Sequence, residues 1–316
     1  MKSIASAPGK IILFGEHFIV YGGRAILCSI DRHITVESEL TDTGKIEIRS
    51  DLGQATILRD DPMDRVDQVL RPIAFVAQRM LREFNSGSGM RVVVTAGFPA
   101  GVGLGSSSAC CVAAAGSISG LFTQYTKEEI LKIAIDAERT IFENTSGADC
   151  SVCTFGGIIE YHRHGEINRI DADAMLQFVV ANSKMTHSTS EVVSRVRRYK
   201  ENNPAIFSLL CRQEESLIED ALDAIRQNDL RGVGQKMSQN QKFLEQIGVS
   251  NETLDSMVSL ASRTAYGSKI TGAGDGGCTI SLVDEANIGS TVMALGANYE
   301  CFATKIDTVG LRQKKE

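Results

Sequence analysis

The chain has 316 residues, 43% hydrophobic and 23% charged, which fits about two globular domains with real cores. A formal net charge of −6 excludes a bulk electrostatic pull toward nucleic acid or an anionic membrane. No apolar run reaches the ~18 residues of a membrane-spanning helix. Residues 1–9 lack the charged start and apolar stretch of a secretory leader, so a cytoplasmic protein with no membrane or nucleic-acid partner is expected.

Along the chain, β-branched or alternating patterns predict strands over 11–14, 34–39, 45–49 and 90–96. Between the last two, Val66, Val69, Ile73, Val76, Ala77 and Met80 recur at helical spacing and predict a helix over 65–84. The glycine-rich run from Pro99 to Ser108 leads into a helix of small residues over 109–118. Thr126 with Glu129 has the capping-box spacing and opens a helix expected to end near Asn144. Strands are expected over 151–161 and 178–182, and helices over 189–199, 204–226, 229–247 and 251–265. Strands over 278–283 and 300–309, with a helix over 288–295 between them, close the chain. The pattern reads as α+β in two lobes, 1–172 and a helix-rich 173–316, with a cleft between them.

The strongest chemical signal is Gly101-Val-Gly-Leu-Gly-Ser-Ser-Ser108 running straight into a helix. Glycines allow positive φ and close backbone approach, and the helix start offers free N–H groups with partial positive charge. That pairing suits a phosphate. A flexible Gly/Ser linker is the bland alternative, but linkers rarely run directly into an apolar helix. The run lacks the Lys of a Walker A loop. A second glycine loop, Lys269 to Gly277, contains a formal G-x-G-x-x-G. A strand rather than a helix follows it, which argues against a dinucleotide site.

Lys10 enters the first strand, Glu16 and His17 leave it, Glu138 lies near a helix end, and Asp149 lies eleven residues on, beyond a turn. Taken singly, each is ordinary as a solvated or structural group. His33, His162 and His164 have no partners at useful spacing, and Arg195, Arg197 and Arg198 read as a solvated helix face. Cys150 and Cys153 form a lone C-x-x-C without a second pair or spaced histidines, and read as buried small side chains.

Together these pieces resemble the mevalonate kinases of the GHMP superfamily. The matching blocks are Ala7 to His17 with Val20-Tyr-Gly22, Pro99 to Ser108, Glu138 to Gly157, Asn182-Ser-Lys184 with Ser188-Thr189, and Lys269 to Cys278. The resemblance implies a ribosomal-S5-like N-terminal lobe with a left-handed β-α-β crossover. It implies phosphorylation of the 5-hydroxyl of mevalonate by ATP with Mg2+. Asp149 would be the catalytic carboxylate and Lys10 its neighbour. Ser107 and Glu138 would hold Mg2+, and Glu16, His17 and Thr189 would shape the mevalonate site. Gly101, Gly103, Leu104, Gly105, Ser106, Ser107 and Ser108 would line the nucleotide phosphates.

Two departures stand out. Asp275 replaces a usual glycine in the last block and is expected to point away from phosphates or to contact the other lobe. Lys184-Met-Thr-His187 replaces a common K-V-P-R, with His187 partly substituting for the lost Arg. A related kinase acting on phosphomevalonate or another mevalonate hydroxyl is the alternative. A non-catalytic sensor is disfavoured because base, lysine and metal ligand are all present. A homodimer is compatible with the sequence.

Overall fold

The computed structural model describes residues 2–163, 165–170, 176–185 and 188–315. The first half runs β1 (Lys2–Phe14), β2 (Arg24–Thr41), β3 (Lys45–Ser50), β4 (Gly53–Leu58), α1 (Arg71–Glu83), β5 (Gly89–Ala96), α2 (Ser106–Gly120), α3 (Lys127–Glu138), α4 (Ala148–Phe155), β6 (Ile158–His162) and β7 (Ile167–Ile170). The second half runs β8 (Gln177–Asn182), α5 (Thr189–Asn202), α6 (Pro204–Arg226), α7 (Leu230–Gln246), α8 (Glu252–Ala261), β9 (Gly267–Thr271), β10 (Cys278–Val283), α9 (Ile288–Gly296), β11 (Glu300–Lys305) and β12 (Arg312–Lys315). No described helix is long and apolar enough to cross a membrane.

One sheet has the order β12-β1-β2-β5-β3-β4, and β6 also pairs with β2. The long β2 shares one edge between two partners, Arg24–Cys28 with β6 and Ile34–Thr41 with β5. The other sheet has the order β11-β8-β10-β9 and is antiparallel throughout. Helix α2 is buried on almost every side, so its small residues Ala113, Ala114, Ala115 and Gly116 let it lie close on β1 and β2. The last strand, β12, returns to pair with β1. The first sheet thus draws on both ends of the chain, and the expected boundary at 172–173 falls outside the described residues.

Several expectations are corrected. β1 does not begin at Ile11: it passes through Pro8-Gly9, where its register with β2 shifts. A bulge tolerates a proline that cannot donate to the ladder. α1 starts at Arg71 rather than 65, with Pro72 in its first turn and short 3-10 turns before it. α3 stops at Glu138, well short of Asn144. The expected strand over 151–161 is α4 followed by β6. Val152 and Thr154 look strand-like, yet left-handed Gly147 opens a helix and its small residues pack against α2 and α3.

The capping box of α3 is complete: Thr126 Oγ1 accepts from the Glu129 N–H, and Glu129 Oε2 accepts from the Thr126 N–H at 2.8 Å. Thr126→Ala is expected to lower the unfolding free energy by ~1 kcal/mol in chemical denaturation.

Candidate active site

Lys10 follows the bulge in β1 and is only 5% exposed. Its N–H donates to the Leu104 carbonyl at 2.8 Å, which fastens β1 to the first glycine loop. Its side chain crosses the face of Gly105, where an added Cβ would lie 2.6 Å from Lys10 Cγ. Gly105 also has φ +72°, so a side chain there is excluded twice. Beyond Gly105 the Lys10 Nζ lies 3.0 Å from Asp149 Oδ2. A buried ammonium without a partner costs several kcal/mol, and Asp149 provides that partner. Asp149 is in the first turn of α4 rather than on a loop, a position where the helix end favours a carboxylate.

Glu138 is buried at the last turn of α3. Its Oε1 accepts from the Ser108 hydroxyl and its Oε2 from the Thr145 hydroxyl at 2.5 Å. The early end of α3 makes this possible, because tight turns over 139–145 bring Thr145 back. Thr145 lies within the matched block after Glu138, and its residue type alone did not single it out. Burial pushes the thiols of Cys111, Cys150 and Cys153 well above the ordinary range.

In the first glycine loop Gly101 and Gly103 have φ +75° and +85°. α2 opens at Ser106 without a side-chain cap, so its first-turn N–H groups have no intrahelical acceptor. Ser106 and Ser107 line the cleft, whereas the Leu104 side chain is buried in the core.

Glu16 is buried and pairs with fully buried Lys269 of β9. Its Oε2 has no hydrogen-bond partner among the described residues, and burial raises its pKa. His17, at φ +63°, donates from Nε2 to the Ala273 carbonyl in the second glycine loop at 2.7 Å. Burial lowers its pKa. Thr189, the first residue of α5, is exposed on the facing wall with Val193. Lys10, Glu16, His17, Glu138, Asp149 and Thr189 share one cleft of about 730 Å³ with both glycine loops. A neighbouring apolar cavity of about 480 Å³, lined by Val69, Phe98, Cys110 and Phe142, meets it at Gly101, Ser106 and Ser107.

Thr145 lines the cleft, and Lys269 and Glu214 are buried behind Glu16 and Gly15; residue type revealed none of the three. Arg195 is more than a solvated face: its Nη2 lies 2.7 Å from Asp275 Oδ2 and ties α5 to the second glycine loop. His33 has a partner after all, with its Nε2 2.8 Å from Oδ2 of buried Asp307. His164 and His187 lie outside the described residues.

The fold and this cleft define a small-molecule kinase of the GHMP class. The family model for the GHMP kinases N terminal domain matches residues 70–157, and that for GHMP kinases C terminal matches 221–300. A mevalonate kinase from Thermococcus sibiricus is 32% identical over 99% of this chain and 98% of its own length. The mevalonate kinase of Methanococcus jannaschii has the same fold, with a TM-score of 0.87 at 24% identity over 96% of this chain and 98% of that one. The L. major mevalonate kinase, solved in complex with R-mevalonate, gives 0.82 at 26% identity over 96% and 95%. The chain belongs to the mevalonate kinase family of the GHMP kinases.

Gly105→Ala combines a left-handed backbone with a clash on Lys10, so we expect a loss of more than about 1 kcal/mol in denaturant unfolding. An unchanged midpoint would contradict the packing of Lys10 over Gly105.

Proposed function

We propose that the protein transfers the γ-phosphoryl group of ATP to the 5-hydroxyl of mevalonate, giving 5-phosphomevalonate and ADP. The observation that carries this reading is the Lys10–Asp149 pair, 3.0 Å apart, beside a glycine loop and an uncapped helix start. The loop N–H groups and the Ser106 and Ser107 hydroxyls bind the phosphates. The apolar cavity at Phe98 and Phe142 receives the base.

The acceptor hydroxyl sits at the Lys10–Asp149 pair. As its oxygen bonds to the γ-phosphorus, its proton passes to the Asp149 carboxylate. The bond from phosphorus to the bridging oxygen breaks, and ADP leaves with that electron pair. Lys10 supplies positive charge where negative charge gathers on the transferring group. Glu16 Oε2, without a partner among the described residues, accepts a hydrogen bond from a substrate hydroxyl, while His17 and Thr189 border the same space.

Mg2+ is hard and prefers oxygen ligands, and the Ser107 hydroxyl and Glu138 carboxylate offer them on the cleft wall. These two residues would hold the ion, with Ser108 and Thr145 orienting Glu138 through its hydrogen bonds. When bound, the ion neutralises charge on the triphosphate.

Two measurements test this. In a panel of mevalonate, phosphomevalonate, galactose and homoserine, ADP release is expected with mevalonate, and NMR should place the phosphate on the 5-oxygen. Turnover with phosphomevalonate alone would overturn the substrate. Asp149→Asn leaves the buried Lys10 ammonium without a charged partner, so its melting temperature should fall. It should still fold and bind ATP but lose about 10²–10⁴-fold in kcat. Near-normal turnover would remove Asp149 from its role.

A further inference from the structure

The turn that carries Glu16 and His17 leaves β1 at Gly15 and enters β2 at Arg24. Both of its ends are held by adjacent residues of one helix from the other half of the chain. The Gly15 N–H donates to Glu214 Oε1 at 2.9 Å, and the Arg24 N–H donates to Glu215 Oε1 at 2.9 Å. Arg24 is clasped further by its guanidinium, 3.0 Å from Glu215, 2.7 Å from Glu160 and 2.8 Å from Glu219. Glu214 is 1% exposed and accepts on both oxygens from Asn240 Nδ2 of α7 at 2.8 Å. The Asn240 Oδ1 is itself buried without a partner among the described residues. Phosphoryl transfer uses none of these groups.

We propose that Glu214 and Glu215 are positioning residues for the phosphoryl acceptor: by fastening both ends of the 15–24 turn to α6, they fix where Glu16 and His17 meet the substrate, and Glu214 makes that setting depend on pH. The proposal rests on the mevalonate reading for the identity of the acceptor.

Geometry gives the pH dependence its form. The charged groups facing Glu214 are Glu16 from the turn and Lys269 from β9, with the Cys211 thiol one turn earlier on α6 and the Arg24–Glu215 pair outside. Burial, with Glu16 adding repulsion, pushes Glu214 up to about 7. Because the folded value is raised, the stability from holding this proton is complete below the ordinary value of 4.5 and is lost as pH rises through about 7. Ionisation has the opposite effect on the turn. A carboxylate accepts a stronger, charge-assisted bond from the Gly15 N–H than the neutral acid does. In the acid form the Asn240 amide can rotate so that Oδ1 receives the Glu214 proton. The anchor therefore tightens as pH rises through about 7.

The test is steady-state kinetics of the full chain across about pH 6 to 8.5, spanning the Glu214 value. For the wild type, KM for mevalonate should fall as pH rises through that value, with little change in KM for ATP. Glu214→Ala strands the Gly15 N–H, so KM for mevalonate should rise ~10-fold or more while KM for ATP stays within about twofold. Glu214→Gln keeps an acceptor oxygen for Gly15, and its amide can donate to Asn240 Oδ1. It should return KM to within about threefold of wild type and flatten the pH trend. A parallel rise in both KM values, no recovery with Gln, or a pH trend that survives in Gln would each overturn the proposal. If Glu214→Ala does not fold, Glu215→Ala replaces it, and an unchanged KM for mevalonate then overturns the proposal. If the wild type prefers another acceptor of the panel, the same split is read with that acceptor, so the two readings fail separately.

Discussion

Lys10 has to be buried and charged at once, and much of the site follows from how the chain manages this. The ammonium reaches Asp149 only by crossing a residue without a side chain, so Gly105 must be glycine. The Lys10 N–H bond to Leu104 holds β1 and the loop in contact along that crossing. The bulge at Pro8-Gly9 shifts the register of β1 with β2 just before the lysine. On the far side, Gly147 opens α4 so that Asp149 falls in the first turn, where the helix end supports its charge. Each of these local choices is small, and together they hold two opposite charges at a fixed separation beside the first glycine loop.

The segment from Lys10 to Arg24 also joins the two halves of the molecule. The Thr271 hydroxyl of β9 bonds both the N–H and the carbonyl of Ile12, in the manner of an added strand. Lys269 meets Glu16, and Ala273 meets His17. Glu214 and Glu215 hold the ends of the turn. Elements of the second half therefore set side chains of the first half that line the cleft. A change of packing in α6 would reach the cleft through this segment.

Much of this was legible in the sequence where local chemistry and pattern agree. The bounds of α6 and β10 coincide with those expected from the sequence, and the Thr126–Glu129 box opens α3 as its spacing demands. Lys10, Asp149 and Glu138 could be proposed because glycines and polar side chains mark their blocks, although residue type alone left each one ordinary. α4 was misread because its helix comes from left-handed Gly147 and burial against neighbours, against the preference of Val152 and Thr154. β9 is buried on both faces and shows no alternation, and β12 is charged and exposed along its length, so neither carries a period-two signal. Glu214 looked like any glutamate on an amphipathic helix. Only the fold shows that it faces inward against a backbone N–H from 199 residues earlier in the chain.

The most direct test of the central claim is a crystal structure with mevalonate and a non-hydrolysable ATP analogue bound together. The 5-hydroxyl oxygen should lie within hydrogen-bond reach of both Lys10 Nζ and the Asp149 carboxylate, facing a γ-phosphate cradled by the Gly103–Ser108 loop. An acceptor oxygen seated away from that pair, or a triphosphate bound elsewhere, would contradict the account.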